Sequence, residues 1–118
     1  MILLYPVISF SDSIGHRGSR DNLIGLHPDP SVVREYSNEL QVTAQTPPTF
    51  LVHAGDDKAV PVANSIRFYE ALQHNGVPAE LHVYPKGGHG FGMNNPTTKD
   101  QWTERLRNWL DAGGWLGK

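Results

Sequence analysis

Two short stretches hold the residues best suited to chemistry: His53-Ala54-Gly55-Asp56-Asp57-Lys58-Ala59-Val60-Pro61 and Gly87-Gly88-His89-Gly90-Phe91-Gly92. They set a carboxylate, Asp57, and an imidazole, His89, 32 positions apart (89 − 57). A carboxylate that accepts the Nδ1–H of an imidazole fixes its tautomer and stabilises the imidazolium formed when the ring deprotonates a serine. Histidine suits the task because its ordinary pKa, near ~6.5, lets it take and return a proton near neutrality. Flanking glycines allow unusual backbone dihedrals and can place the ring in an open cleft. Duller uses exist for both residues. Asp57 could cap the helix that follows, although its neighbour Asp56 is the better candidate for bonding turn amides. His89 could be a surface histidine in a flexible loop. Their coincidence at the ends of neighbouring strands favours the acid and base arms of a Ser-His-Asp arrangement.

The nucleophile for that chemistry is expected upstream, on a Gly-x-Ser-x-Gly turn between strand and helix. None of the seven serines has glycine two residues away on both sides. Ser13 comes closest, in Ser11-Asp12-Ser13-Ile14-Gly15, but His16-Arg17-Gly18-Ser19-Arg20 is a poor helix start. No His-Gly-Gly oxyanion loop is visible either. A metal site built from His53, Asp57 and His89 is a weaker alternative, because no close-spaced pair such as His-x-x-x-His supports it. His53 and His82 read as scaffold residues in strands; His16, His27 and His74 read as loop or helix-surface positions.

The elements that must position these groups follow from the apolar pattern. Residues 2–8 form an almost unbroken apolar run, as expected of a strand covered on both faces. Residues 9–29 read as a long polar loop with a helical turn at Asn22–Leu26, and Asp29-Pro30 opens a helix through about Asn38. Thr46-Pro47-Pro48 feeds a second buried strand, Thr49 to His53. Ala63 to about Asn75 is predicted helical, with Gly76 as terminator. Ala79 to Tyr84 alternates, as an outer strand does. Asn95-Pro96 is predicted to open a last helix with Trp102, Leu106, Trp109 and Leu110 on one stripe, ended by Gly113-Gly114. Strands alternating with helices argue for an α/β architecture of three parallel strands with crossover helices. The first strand starts directly after Met1, so the sheet is expected to be the second half of a larger one. Within it, 1–45 would be a strand plus a cap-like excursion, and 46–118 the acid-and-base segment.

Bulk composition narrows the partners. The chain has 118 residues, 38% apolar and 19% charged, with a net charge of −2, as expected of a soluble globular protein. Lys and Arg are scattered, which gives no footprint for nucleic acid or an anionic membrane. No run of 18 apolar residues suggests a membrane span. Met1 to Ile8 lacks the features of a signal peptide. The absence of cysteine removes disulfides, thiolate metal sites and a cysteine nucleophile together, and is compatible with cytoplasm or periplasm.

The stretch Thr46 to His53 with Asp57-Lys58-Ala59-Val60-Pro61, then Ser65 to Tyr69, Gly76 to Tyr84 and Gly87 to Gly92, resembles the closing segment of α/β-hydrolase esterases. It is most similar to the acetyl-esterase, acetylxylan-esterase-like branch. Tyr5-Pro6-Val7-Ile8 and Gly18-Ser19-Arg20-Asp21-Asn22-Leu23 resemble the segment that follows the nucleophile turn there. The resemblance implies Asp57 as triad acid, His89 as base, no cofactor and a small acyl-ester substrate, with acetylated carbohydrate among the candidates. It also implies that the serine and oxyanion loop belong to an N-terminal half absent from these residues, so that the chain alone is expected to be inactive. Prolyl-oligopeptidase-like peptidases and dienelactone-hydrolase-like enzymes share very similar closing segments. A peptidase fragment, or a non-catalytic fragment that self-associates through an exposed sheet edge, are the competing expectations.

Overall fold

The computed structural model of the chain describes residues 1–117. Strands β1 (Ile2–Leu4), β2 (Thr49–Ala54) and β3 (Ala79–Tyr84) run parallel in the order β1-β2-β3, with Ile2 opposite Phe50 and Phe50 opposite Glu80. All six residues of β2 are buried, because the strand has neighbours on both edges and helices over both faces. Its side chains alternate between two apolar layers. Leu51 meets Ile8, Phe68, Leu72 and Val77; Phe50 and Val52 meet Tyr84 and Trp102.

Among the described residues four α-helices accompany the sheet: α1 (Arg17–Ile24), α2 (Pro30–Glu35), α3 (Ala63–His74) and α4 (Trp102–Ala112). Helix α3 supplies Phe68 and Leu72 to the first layer, and α4 supplies Trp102 to the second, with Leu106 and Trp109 packed against it. At the end of α3 the Val77 amide donates to the Leu72 carbonyl and the Gly76 amide to that of Gln73, with Gly76 at φ +69°. This is a Schellman stop, and the accompanying Leu72–Val77 contact belongs to the core. It sends the chain directly into β3. No helix among the described residues is long and apolar enough to cross a membrane.

Several boundaries differ from expectation. The apolar run over residues 2–8 is a strand only to Leu4. Tyr5 takes φ +39° and is followed by Pro6, which has no N–H to donate to a ladder. The chain then leaves the sheet but stays buried at Ile8, Ser9 and Phe10. Side chains satisfy its amides: Asn64 Oδ1 accepts from Ile8 (3.0 Å) and Ser9 (2.9 Å), and Ser37 Oγ accepts from Phe10 (3.0 Å). Helix α1 occupies Arg17–Ile24 instead of a turn at Asn22–Leu26, started by His16, whose Nδ1 accepts from the Ser19 amide. Helix α2 stops at Glu35, and a separate 3₁₀ turn covers Asn38–Leu40. Helix α4 begins at Trp102, not at Pro96. The side chain of Asn95 is engaged with the Lys86 carbonyl and the Thr97 amide, so the Asn-Pro pair makes a turn instead.

Candidate active site

Asp57 follows the carboxyl end of β2, where open α/β sheets gather their ligand-facing groups. Its side chain is fully buried. Oδ1 accepts from the Ala59 and Val60 amides, each at 2.9 Å, so the turn itself anchors the carboxylate. Oδ2 lies 2.8 Å from His89 Nδ1 and 3.2 Å from His53 Nε2. Burial works against the charged form of Asp57. The Val60 amide, His89 and the Ala59 amide outweigh it and hold the carboxyl below the usual aspartate range. Asp57 is therefore an anion at neutral pH.

His89 lies on the loop after β3, in a stretch that needs left-handed backbone at Gly88 (φ +62°) and Gly90 (φ +80°). With Asp57 accepting from Nδ1–H, the other ring nitrogen, Nε2, carries the lone pair that a general base requires. The ring side chain is 39% exposed and is met edge-on by Tyr5, with centroids 4.8 Å apart.

Side chains fasten this loop from several directions. The Gly88 amide donates to Asp56 Oδ1 at 2.8 Å, so Asp56 ties the two loops together, while the turn amides expected to fall to it are bonded by Asp57 instead. Buried Asn95 donates to the Lys86 carbonyl (2.8 Å), Trp102 Nε1 donates to that of Gly92 (2.9 Å), and Phe91 packs against Tyr5 and Tyr84. The Tyr84 hydroxyl donates to Asp100 Oδ2 at 3.1 Å; burial, then that carboxylate, pushes its pKa up to about 12, so it remains a donor.

The structure thus brings Asp57 and His89 together. It does not bring Ser13 to them: Ser13 is exposed in the turn before α1, and among the described residues its side chain pairs only with Ser11, 3.4 Å away. His53 does reach Asp57, yet both of its ring nitrogens are engaged, Nδ1 with Ser65 Oγ (2.7 Å) and Nε2 with the Val60 carbonyl (2.9 Å). No group of three or more His, Cys, Asp or Glu among the described residues is placed to hold a metal ion. Sequence reasoning gave Asn64 no part, took Asn95 for a helix start and met Ser65 only within the resemblance. Each is a buried polar residue, and a polar type at a helix start or beside proline was the available signal.

Residues 20–114 match the family model described as the prolyl oligopeptidase family. The chain belongs to that family. It is 39% identical over 116 residues to an acetylxylan esterase of Xylanibacter ruminicola, a match covering 94% of this chain and 24% of the esterase. It is 35% identical over 103 residues to endo-1,4-beta-xylanase B of Butyrivibrio fibrisolvens, covering 87% of this chain and 16% of that protein. The solved acetyl ester-xyloside bifunctional hydrolase of Caldicellulosiruptor lactoaceticus superposes with a TM-score of 0.93 at 44% identity, covering 98% of this chain and 43% of that one. The chain therefore spans less than half the length of these relatives. Its three parallel strands and their helices are the C-terminal portion of an α/β-hydrolase fold.

Proposed function

We propose that these residues are the acid-and-base part of a serine carboxylic-ester hydrolase acting on small acyl esters, acetylated carbohydrate among them. Asp57 is the triad acid and His89 the base, with the serine and the oxyanion donors contributed by the remainder of a full-length protein. The observation that carries this reading is the 2.8 Å Asp57–His89 contact, made by an anchored anion to an imidazole whose Nε2 is left to the reaction. His89 Nε2 takes the serine proton as the serine oxygen attacks the acyl carbon, then returns it to the departing alcohol. In the second half it takes a proton from water as the water oxygen attacks the acyl carbon, then gives it to the serine oxygen as the acyl–serine bond breaks, which releases the acid and restores the serine. Asp57 keeps its charge throughout and stabilises the imidazolium. No step calls for a cofactor. Residues 46–118 carry this machinery, and 1–45 supply a strand and the excursion that packs beside α3.

The names of the similar proteins, an acetylxylan esterase and an acetyl ester hydrolase, support an ester over a peptide substrate. The family description supports the second reading, a peptidase using the same two residues. Hydrolysis of an activated acetate ester by the full-length protein, lost in His89→Ala, is the expected result. Cleavage of a proline-containing peptide in preference to the ester would favour the peptidase. The 118-residue chain alone is expected to show no esterase activity; turnover by it, abolished in Ser13→Ala, would overturn the assignment of the nucleophile to another segment. The open outer edge of β1 makes self-association of the isolated chain a further expectation, checked by sedimentation at rising concentration.

A further inference from the structure

One titratable group at the site has no part in the chemistry described so far. His53, next to last in β2, has no solvent exposure and lies 3.2 Å from Asp57. Its Nε2 faces two acceptors, the Val60 carbonyl (2.9 Å) and Asp57 Oδ2, so that nitrogen carries the proton and donates to both. Its Nδ1 faces Ser65 Oγ at 2.7 Å, and there the hydroxyl donates. Burial, acting against the nearby carbonyl and carboxylate, lowers the pKa of His53 and keeps the ring neutral. Ser65, His53 and Asp57 thus repeat the residue types of a catalytic triad. Ser65 and His53 are both sealed from solvent, so no substrate reaches that hydroxyl.

Asp57 Oδ1 is fixed by two amides, but Oδ2 must also be held where the His89 Nδ1–H needs it. His53 meets this same oxygen from the buried side. We propose that His53 is a positioning residue: a neutral N–H donor, backed by Ser65, that pins Asp57 Oδ2 and thereby keeps His89 in the Nδ1–H tautomer with Nε2 available as base. The proposal rests on the assignment of Asp57 and His89 as acid and base. The other groups facing His89 are the Tyr5 ring and, through the Gly88 amide, the Asp56 carboxylate. Neither touches Oδ2 among the described residues.

The test uses the full-length protein, its ester turnover and the ¹⁵N NMR signals of the His89 ring, which report the tautomer directly. Without a carboxylate partner a neutral imidazole in water prefers the Nε2–H form. His53→Phe is expected to lower kcat by about 10- to 100-fold, the cost of a misplaced catalytic group, and to move His89 toward Nε2–H. His53→Gln, whose amide can donate to Val60 and Asp57 and accept from Ser65, is expected to restore most of both. Where His53→Phe fails to fold, Ser65→Ala keeps the imidazole without its backing donor. It should then lower kcat several-fold at unchanged KM and shift the His89 signals. Unchanged kcat and unchanged His89 signals in a folded His53→Phe or Ser65→Ala protein overturn the proposal. Asp57→Asn separates the two layers: full activity there overturns the acid assignment and this proposal together. Loss there, with His53→Phe indistinguishable from wild type, overturns this proposal alone.

Discussion

The turn after β2 buries the Asp57 carboxylate completely and surrounds it with two amides and two imidazoles, whereas the loop after β3 leaves the His89 ring 39% exposed with a single hydrogen bond. The difference matches the roles proposed for the two residues. A charge that never leaves its residue gains from fixed donors and from exclusion of water. A ring that takes and gives protons needs one nitrogen held and the other left open. The restraint on His89 is therefore placed in its backbone, through Asp56, Asn95 and Trp102, and not on its second nitrogen.

Removing the fixed charge should have the largest effect. Asp57→Asn in the full-length protein is expected to lower kcat by about 10⁴-fold, as loss of the orienting carboxylate does in Ser-His-Asp enzymes, with little change in KM. The base loop should break more softly. Gly87 has φ +154°, and a Cβ there would lie 2.7 Å from Nδ2 of buried Asn95, so Gly87→Ala must displace the loop. An activity loss of about 100-fold is expected from that displacement, with the acid turn unaffected by circular dichroism and proteolysis. Asn95→Ala removes one of two donors to the Lys86 carbonyl, and Thr97 Oγ1 remains as the other at 3.0 Å. A stability loss of about 1 kcal/mol in urea titration is expected, at the lower end for a buried hydrogen-bond donor.

The smallest expected effect, and the one that sharpens the comparison most, is the dependence of stability on pH. Burial lowers the pKa of His53 in the folded state, so below about pH 6.5 the unfolded chain binds a proton that the native chain resists. The His53 contribution is thus complete above about pH 6.5 and is lost as pH falls from there through the lowered folded value. Asp57, also depressed, adds a second loss that begins only near pH 4 and continues through its own folded value. Urea midpoints measured from pH 8 to pH 3 should fall in these two stages, and His53→Gln should remove the first alone. A flat midpoint between pH 7 and pH 5 in the wild-type chain would contradict the buried, neutral state of His53.

Much of this was legible in residue order. Strand β2 and helix α3 were readable because their cores are continuous and their stops are local: Pro48 before β2, Gly76 after α3. The pairing of Asp57 with His89 was readable because two loops at neighbouring strand ends must lie close together. Polar side chains acting at long range were not. Asn64 holds Ile8 and Ser9 from 56 and 55 positions away, which is how an apolar run that reads as strand can leave the sheet and still stay buried. Asn95 looks like a helix start beside Pro96, and only its bond to Lys86 shows that it closes a loop. His53 reads as scaffold in an apolar strand. Its contact with Asp57 arises because the turn at Gly55-Asp56 folds the chain back over the strand end.

The bonds from Asn64 to the segment after β1 also bear on the order in which the molecule assembles. Pairing Thr49 with Ala79 closes 30 positions (79 − 49) around a helix that can form locally, whereas pairing Ile2 with Phe50 closes 48 (50 − 2). The extra length costs only about 0.4 kcal/mol in loop closure. More important, β1 offers only three residues of strand, and the segment that follows it is held by Asn64, a side chain correctly placed only once α3 has docked. The β2–α3–β3 unit is therefore expected to collapse first and to recruit β1 last, with β2 amides protected earlier than the Tyr5 amide in pulsed hydrogen exchange during refolding. On that route Asp57 and His89 meet within the early-forming unit, before Tyr5 arrives to cover the imidazole edge.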